Sequence, residues 1–146
     1  MTSVFVVIPT YNERHNIGAL IPEIFALGIP ELKMVVVDDS SPDGTGDAVA
    51  ELSRRYPVYL MRRPEKRGLG TAYADAFREI VAGRIRDWGI PARIIQMDSD
   101  FSHDPAVIPR LLRSAEAADV VVGSRYVPGG SVANWGRARR LLSAFA

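Results

Sequence analysis

Val4 to Ile8 reads VFVVI and Met34 to Val37 reads MVVV, two short apolar runs rich in β-branched residues with no polar residue alternating among them. A strand with one face in water alternates, so these runs fit strands buried on both faces. Pro9 is expected to stop the first. Between the runs, Ile17, Leu20, Ile21, Ile24 and Phe25 recur at the spacing of one helix face. Pro22 falls inside that pattern and predicts a kink or a late helix start. The alternation then continues. A helix runs through Ala48, Val49 and Leu52, and Val58 to Met61 forms a third strand. A helix from about Thr71 to Arg86 carries Ala72, Ala76, Phe77, Ile80 and Val81 on one face. Arg93 to Met97 is a fourth buried strand. Asp104 has the chemistry of an N-cap, with Pro105 at the first helical position. Ile108, Leu111, Leu112 and Ala115 form the stripe that follows, although Pro109 weakens its start. Val120 to Val122 is a fifth strand. Strands alternating with helices imply an α/β fold with a mostly parallel central sheet.

The chain has 146 residues, 47% of them hydrophobic, which suits one domain with a real core. A net charge of +1 gives no general pull towards nucleic acid. With no cysteine there is neither a disulfide framework nor thiolate chemistry, and a reducing cytosolic setting fits. The opening MTSVFVVIPTYNE lacks a basic segment before its short apolar run, so it reads as a strand rather than a signal peptide. No apolar run is long enough to span a bilayer.

In parallel α/β sheets, ligands bind outside the carboxyl ends of the strands. Three polar clusters stand at such ends: Pro9-Thr10-Tyr11-Asn12-Glu13, Asp38-Asp39-Ser40 and Asp98-Ser99-Asp100. The fifth strand runs into Gly123-Ser124-Arg125. Glu13, Asp39, Asp98, Asp100 and Arg125 are therefore expected along one edge. Carboxylates at i and i+2 suit a hard cation such as Mg²⁺ or Mn²⁺, which takes oxygen ligands and shares its shell with substrate phosphates. The alternative is a turn cap beside a solvated acid. An EF-hand loop beginning at Asp98 fails, because His103 and Pro109 stand where Gly and Glu belong. An aspartyl-phosphate phosphatase would need a downstream lysine, and Lys33 and Lys66 both lie upstream. Gly68-Leu69-Gly70 hints at a dinucleotide fingerprint, but Tyr73 occupies the third glycine's place. It reads as a loop-to-helix turn.

The segments VVIPTYNE, VVVDDSSPDGT, RGLGTAY, MDSDFSHDP and GSRYVPGG, in that order, resemble the family-2 inverting glycosyltransferases. Within them the resemblance is to the polyprenyl-phosphate (dolichyl-phosphate) mannosyltransferases. The resemblance implies a GT-A fold, a Rossmann-like three-layer α/β/α arrangement. It implies transfer of mannose from GDP-mannose to a polyprenyl monophosphate with inversion and with Mg²⁺ or Mn²⁺. Pro9, Tyr11 and Glu13 match the first nucleotide-binding segment, and Val37 and Asp39 match residues around the guanine and ribose. Asp98, Ser99 and Asp100 match the metal and diphosphate motif, with Asp98 and Asp100 as ligands and Asp100 the more direct. Arg125 matches a basic residue between donor phosphate and acceptor, so Asp100 and Arg125 are the implied catalytic residues. Arg137, Arg139 and Arg140 lie where the family carries a basic segment near the acceptor phosphate. Ser99 departs from the family's commoner Ala. Related enzymes continue well past Ala146, so the resemblance implies a single transferase domain, residues 1–146, lacking its acceptor-side part. It further implies a cytoplasmic protein, peripheral at the membrane, perhaps through a partner membrane protein.

His103 reads as a local hydrogen-bonding residue, with contact to the diphosphate or metal as the alternative; His15 reads as part of a solvated helix face, and RRPEKRG as a solvated loop, with an approach to the nucleotide as the alternative. Trp135 fits either the lipid interface or packing against a further segment. RARRLLSAFA, basic and then apolar, reads as an ordinary helix, with an interfacial helix as the alternative. Three functions remain open from the sequence. They are the mannosyltransferase, a family-2 transferase with another donor or a hydroxyl acceptor, and a non-catalytic nucleotide-binding remnant.

Overall fold

A computed structural model describes residues 3–124 and residue 127. The chain divides into two compact units, Met1–Pro109 and Arg110–Ala146. The elements, in order, are β1 (Val4–Thr10), α1 (Arg14–Ala26), β2 (Leu32–Asp38), α2 (Thr45–Leu52), β3 (Val58–Arg62), α3 (Leu69–Val81) and β4 (Arg93–Gln96). A 3₁₀ turn (Pro105–Val107) then leads into α4 (Ile108–Ser114).

The four strands form one sheet in the order β3-β2-β1-β4, and every pairing is parallel. All seven residues of β1 are buried, as its unbroken apolar run requires. Side chains alternate across the sheet. Phe5 and Val7 of β1 and Val35 and Val37 of β2 meet Ala72, Ala76 and Ile80 of α3 on one face. Val6, Ile8, Met34 and Val36 point the other way and are fully buried too, on the side where α2 packs on β2 and β3, and α1 on α2. The result is the three-layer α/β/α arrangement. Ile85 extends the α3 face, and Trp88 sets its ring edge-on to Phe5 with centroids 5.8 Å apart.

Pro9 does not stop the strand; it pairs with Val37 inside β1. The reason lies in which way its backbone points. The Val7 carbonyl accepts from Met97 on the β4 side, whereas the Thr10 carbonyl accepts from Asp39 on the β2 side. Pro9, two residues after Val7, therefore turns its missing donor towards β4, whose pairing has already ended at Val7–Gln96.

Pro22 does not delay α1 either. The helix begins at Arg14, and Ile17, Leu20, Ile21 and Ile24 are buried on it. Phe25 is half-buried and stacks on Tyr56, centroids 5.0 Å apart. The helix expected to reach Arg86 ends at Val81, because Gly83 turns the chain at φ +67°. Val81, expected on the apolar face, is 63% exposed. The fourth strand is not buried. Arg93, Ile94 and Gln96 are exposed, because β4 is the edge of the described sheet and only its β1 side is covered. Val120–Val122 forms no strand; Val120 and Val122 are each 79% exposed. β-Branched composition without a ladder partner does not make a strand. Asp104 and Pro105 behave as expected: the Asp104 carboxylate accepts the Ala106 N–H at 2.9 Å.

Ile80→Ala empties a fully buried position and is expected to cost about 2–5 kcal/mol in a urea unfolding titration. Val81→Ala, one residue along the same helix, is expected to change stability by no more than about 0.5 kcal/mol.

Candidate active site

Parallel strands bring the ends of β1, β2, β3 and β4 to a single edge, and each leads into a polar loop. Asn12, Ser40 and Phe101 follow β1, β2 and β4 and all adopt positive φ, at 59°, 53° and 59°. Left-handed backbone at a non-glycine residue is uncommon, though Glu31 and Arg86, before β2 and β4, adopt it too. Here it lets the loops turn sharply off the sheet.

The loops after β1 and β2 are tied together. Asp38 is buried, and its carboxylate accepts from the Ser41 hydroxyl at 2.6 Å and the Ser41 N–H at 3.2 Å; the Thr10 hydroxyl stands 3.1 Å away. The Glu13 N–H donates to the Thr45 hydroxyl at 2.9 Å, and the Asn12 N–H to the Ser41 hydroxyl at 3.0 Å. Gly46 sits close against this cluster: a Cβ there would lie 3.0 Å from both Asp38 Oδ2 and the Arg62 guanidinium. The Glu13 carboxylate accepts from the Asn16 side chain at 2.7 Å. An open depression of about 530 Å³ lies at the start of α1, lined by Asn12, Glu13, Arg14, His15, Asn16 and Asp43. It does not include Asp98 or Asp100.

Asp39 is the residue whose surroundings the sequence concealed. It is 5% exposed, and its carboxylate is gripped by Arg63, itself 4% exposed. Arg63 Nε donates to Oδ1 at 2.5 Å and Nη2 to Oδ2 at 2.7 Å, a bidentate fork. Nη1 reaches the Thr71 hydroxyl at 2.7 Å and Asp75 at 3.1 Å, and Nη2 also reaches the Gly68 carbonyl at 3.1 Å. All the donors of the guanidinium have acceptors. Burial opposes ionisation of Asp39, but hydrogen bonds from Arg63 and from the amides of Arg67 and Gly68, with the Arg63 charge, hold its carboxyl below the ordinary 3.8. Reading RRPEKRG as a solvated loop is thus wrong for Arg63. The sequence did hold a signal: Asp38 pairs with Arg62 in register, so Arg63 follows β3 where Asp39 follows β2.

After β4, Ser99 is buried at 5% exposure, while Asp98 is half-buried and Asp100 exposed. The Asp98 N–H donates to His103 Nδ1 at 3.1 Å, the local role expected of His103. The Ser102 side chain and N–H both hydrogen-bond to Asp100, the N–H at 2.9 Å, and hold it below the ordinary 3.8 against a smaller opposing cost of burial. Asp100 is therefore a carboxylate at neutral pH, as a cation ligand must be. Tyr73 donates to the Met97 carbonyl at 3.2 Å, and burial together with the Asp98 charge pushes its hydroxyl up to about 12. Carboxylates at i and i+2 are hard-oxygen donors of the kind that suit Mg²⁺ or Mn²⁺, which a protein often holds through one or two carboxylates with substrate phosphates completing the shell. Among the described residues no group of three or more His, Asp or Glu side chains is placed to hold a metal ion.

Pro9 and Val37 are buried within the sheet, paired with each other, and Tyr11 is 37% exposed at the edge with Lys66 Nζ 3.8 Å from its ring centroid. His15 is exposed, as expected. Arg125, Trp135, Arg137, Arg139 and Arg140 lie outside the described residues. No helix among the described residues is long and apolar enough to cross a membrane.

A parallel sheet between helix layers, with carboxylates and a buried ion pair along its carboxyl edge, defines an α/β fold of the kind that binds ligands at that edge. The chain belongs to glycosyltransferase family 2: the model for Glycosyl transferase family 2 matches residues 5–145. It is 43% identical over 147 residues to the polyprenol monophosphomannose synthase of Mycolicibacterium smegmatis, an alignment covering 97% of this chain and 52% of that protein. It is 42% identical over 142 residues to the dolichol-phosphate mannosyltransferase of Pyrococcus furiosus, covering 96% of this chain and 38% of that one. The chain thus spans about half the length of these relatives or less. In fold it is similar to the crystal structure of S. aureus TarS 1-349, with a TM-score of 0.62 at 20% identity, covering 86% of this chain and 38% of that one.

Arg63→Ala leaves the Asp39 charge buried without its partner and is expected to cost about 3–5 kcal/mol. Asp39→Asn tests the same pair by pH. The folded-state pKa of Asp39 lies below 3.8, so its contribution is present above that value and is lost as pH falls through the lower folded value. The stability gap between wild type and Asp39→Asn, read from urea melts, is expected to be full at neutral pH and to close under acid conditions below 3.8.

Proposed function

We propose that this chain is the nucleotide-sugar-binding portion of a polyprenyl-phosphate mannosyltransferase. Such an enzyme transfers mannose from GDP-mannose to a polyprenyl (dolichyl-type) monophosphate, inverting the anomeric carbon. The observation that carries the reading is the 43% identity to a polyprenol monophosphomannose synthase across 97% of the chain. The edge chemistry supports it, since a sugar nucleotide presents a diphosphate to Asp98 and Asp100 and a base and ribose to the loops after β1 and β2.

Asp98 and Asp100 would hold Mg²⁺ or Mn²⁺. Bound there, the ion supplies Lewis-acid stabilisation of the charge on the departing diphosphate. The chain's own residues do the rest. Asp100, held anionic by Ser102, and Asp98, held by its amide on His103, orient the donor. Tyr11 offers an aromatic face for the base. The burial of Asp39 by Arg63 makes it a support for the nucleotide-binding loop as well as a contact. A phosphate monoester is already an anionic nucleophile near neutral pH, so the attack on the anomeric carbon needs no strong general base. Catalysis then rests on alignment and electrostatics. Arg125, with Arg139 and Arg140, would hold the incoming phosphate, for which the planar guanidinium fork is suited. The protein would work at the cytoplasmic face of the membrane that carries its lipid acceptor.

Calorimetric titration with GDP-mannose, with and without Mn²⁺ and against UDP-glucose, tests the reading. Metal-dependent binding selective for GDP-mannose is expected. Equal affinity for UDP-glucose would reassign the donor, and the reading would fall with it. Asp100→Ala is expected to abolish the metal-dependent part of the heat; donor affinity that survives unchanged would refute the role given to Asp100.

A further inference from the structure

We propose that Lys66 binds the diphosphate of the nucleotide donor. The inference rests on the nucleotide-sugar reading above and assigns to one lysine of the RRPEKRG loop a specific partner, the diphosphate.

Lys66 lies between β3 and α3, in a loop that is exposed yet pinned on both sides. On one side the Arg63 N–H donates to the Asp38 carbonyl at 2.9 Å and the Ser40 hydroxyl to the Arg63 carbonyl at 2.5 Å. On the other, the Arg67 N–H donates to Asp39 Oδ2 at 3.1 Å, and the Gly68 carbonyl accepts from Arg63 Nη2 at 3.1 Å. The buried Arg63–Asp39 pair therefore holds the backbone that carries Lys66. The side chain reaches from the end of β3 to the end of β1, where its ammonium stands 3.8 Å from the centroid of the Tyr11 ring. Those two strand ends lie on opposite sides of β2, so the lysine spans the stretch of edge that a nucleotide would occupy.

Arg62, Arg63 and Arg67 near this edge each face a carboxylate among the described residues, whereas Arg14 meets a neutral carbonyl at the start of α1. Arg63 has its donors filled, Arg14 donates to the Asp43 carbonyl at 3.4 Å, Arg62 pairs with Asp47 at 2.6 Å, and Arg67 lies 3.5 Å from Asp75. Lys66 forms no ion pair with a described carboxylate; the π face of Tyr11 attracts its charge but does not neutralise it. An ammonium on a flexible stem is a point charge suited to phosphate oxygens. A base that stacks on Tyr11 displaces it from the ring and leaves it beside the attached phosphates.

The test is titration of GDP, with Mn²⁺ present, into wild type, Lys66→Ala and Lys66→Arg at low and high salt, with guanosine as the phosphate-free competitor. Lys66→Ala is expected to weaken GDP about tenfold, the loss of one charge-assisted contact. It is also expected to flatten the salt dependence of Kd, to leave the melting temperature unchanged and not to weaken guanosine, which no longer has to displace the ammonium from Tyr11. Lys66→Arg is expected to keep most of the affinity. If Lys66→Ala binds GDP as wild type does, with the same salt dependence, the role of Lys66 is overturned while the nucleotide reading stands. Equal weakening of GDP and guanosine overturns it too, placing Lys66 on the base. Wild type that binds neither compound overturns the nucleotide reading and this inference together.

Discussion

Complete burial of β1 is the constraint on which the rest of the structure depends. A strand with both faces in the core leaves its backbone polar groups no water, so each must find a partner in a neighbouring strand. β2 supplies them along one side of β1 for its full length, and β4 along the other as far as Val7. Parallel pairing follows, because each strand is followed by a helix that carries the chain back before the next begins. One consequence matters most for function: every strand ends at the same edge, and every loop that leaves that edge is a neighbour of the others.

That edge stores cost as well as chemistry. Asn12, Ser40 and Phe101 hold left-handed backbone, and Asp39 and Arg63 are charges taken almost wholly out of water. Neither feature helps a sheet to fold; a buried ion pair is often no more stable than a well-packed apolar pair. What the pair provides is placement. Its hydrogen bonds run to β2, to the loop after β3 and to the start of α3, so three separate parts of the chain are held in one geometry before any ligand arrives. Preorganisation of this kind suits a site that works by alignment and electrostatics rather than by strong acid–base chemistry.

Much of this was readable in the order of residues. Apolar runs such as VFVVI specify a doubly buried strand because nothing in them tolerates water, and the acids that follow must then stand at a strand end. Asp104-Pro105 announced its cap through chemistry local to two residues. The failures share a cause. Pro9 stays in the strand because its cost depends on whether a neighbour needs its N–H, and that is a property of the ladder. Val81 and the β4 residues were misjudged because an apolar side chain shows its preference but not whether a surface is there to cover it.

The sequence by itself determined the α/β class, the strand ends that carry Glu13, Asp39, Asp98 and Asp100, and membership of a glycosyltransferase family. Each follows from local pattern: periodicity, strand-ending acids and contiguous motifs. Only the tertiary structure decided that Arg63 is buried against Asp39 and that Lys66 lies over Tyr11. Arg62, Arg63, Lys66 and Arg67 look alike along the chain, and each would be solvated on an isolated loop. What separates them is which neighbouring strand end each one meets, and long-range pairing alone settles that.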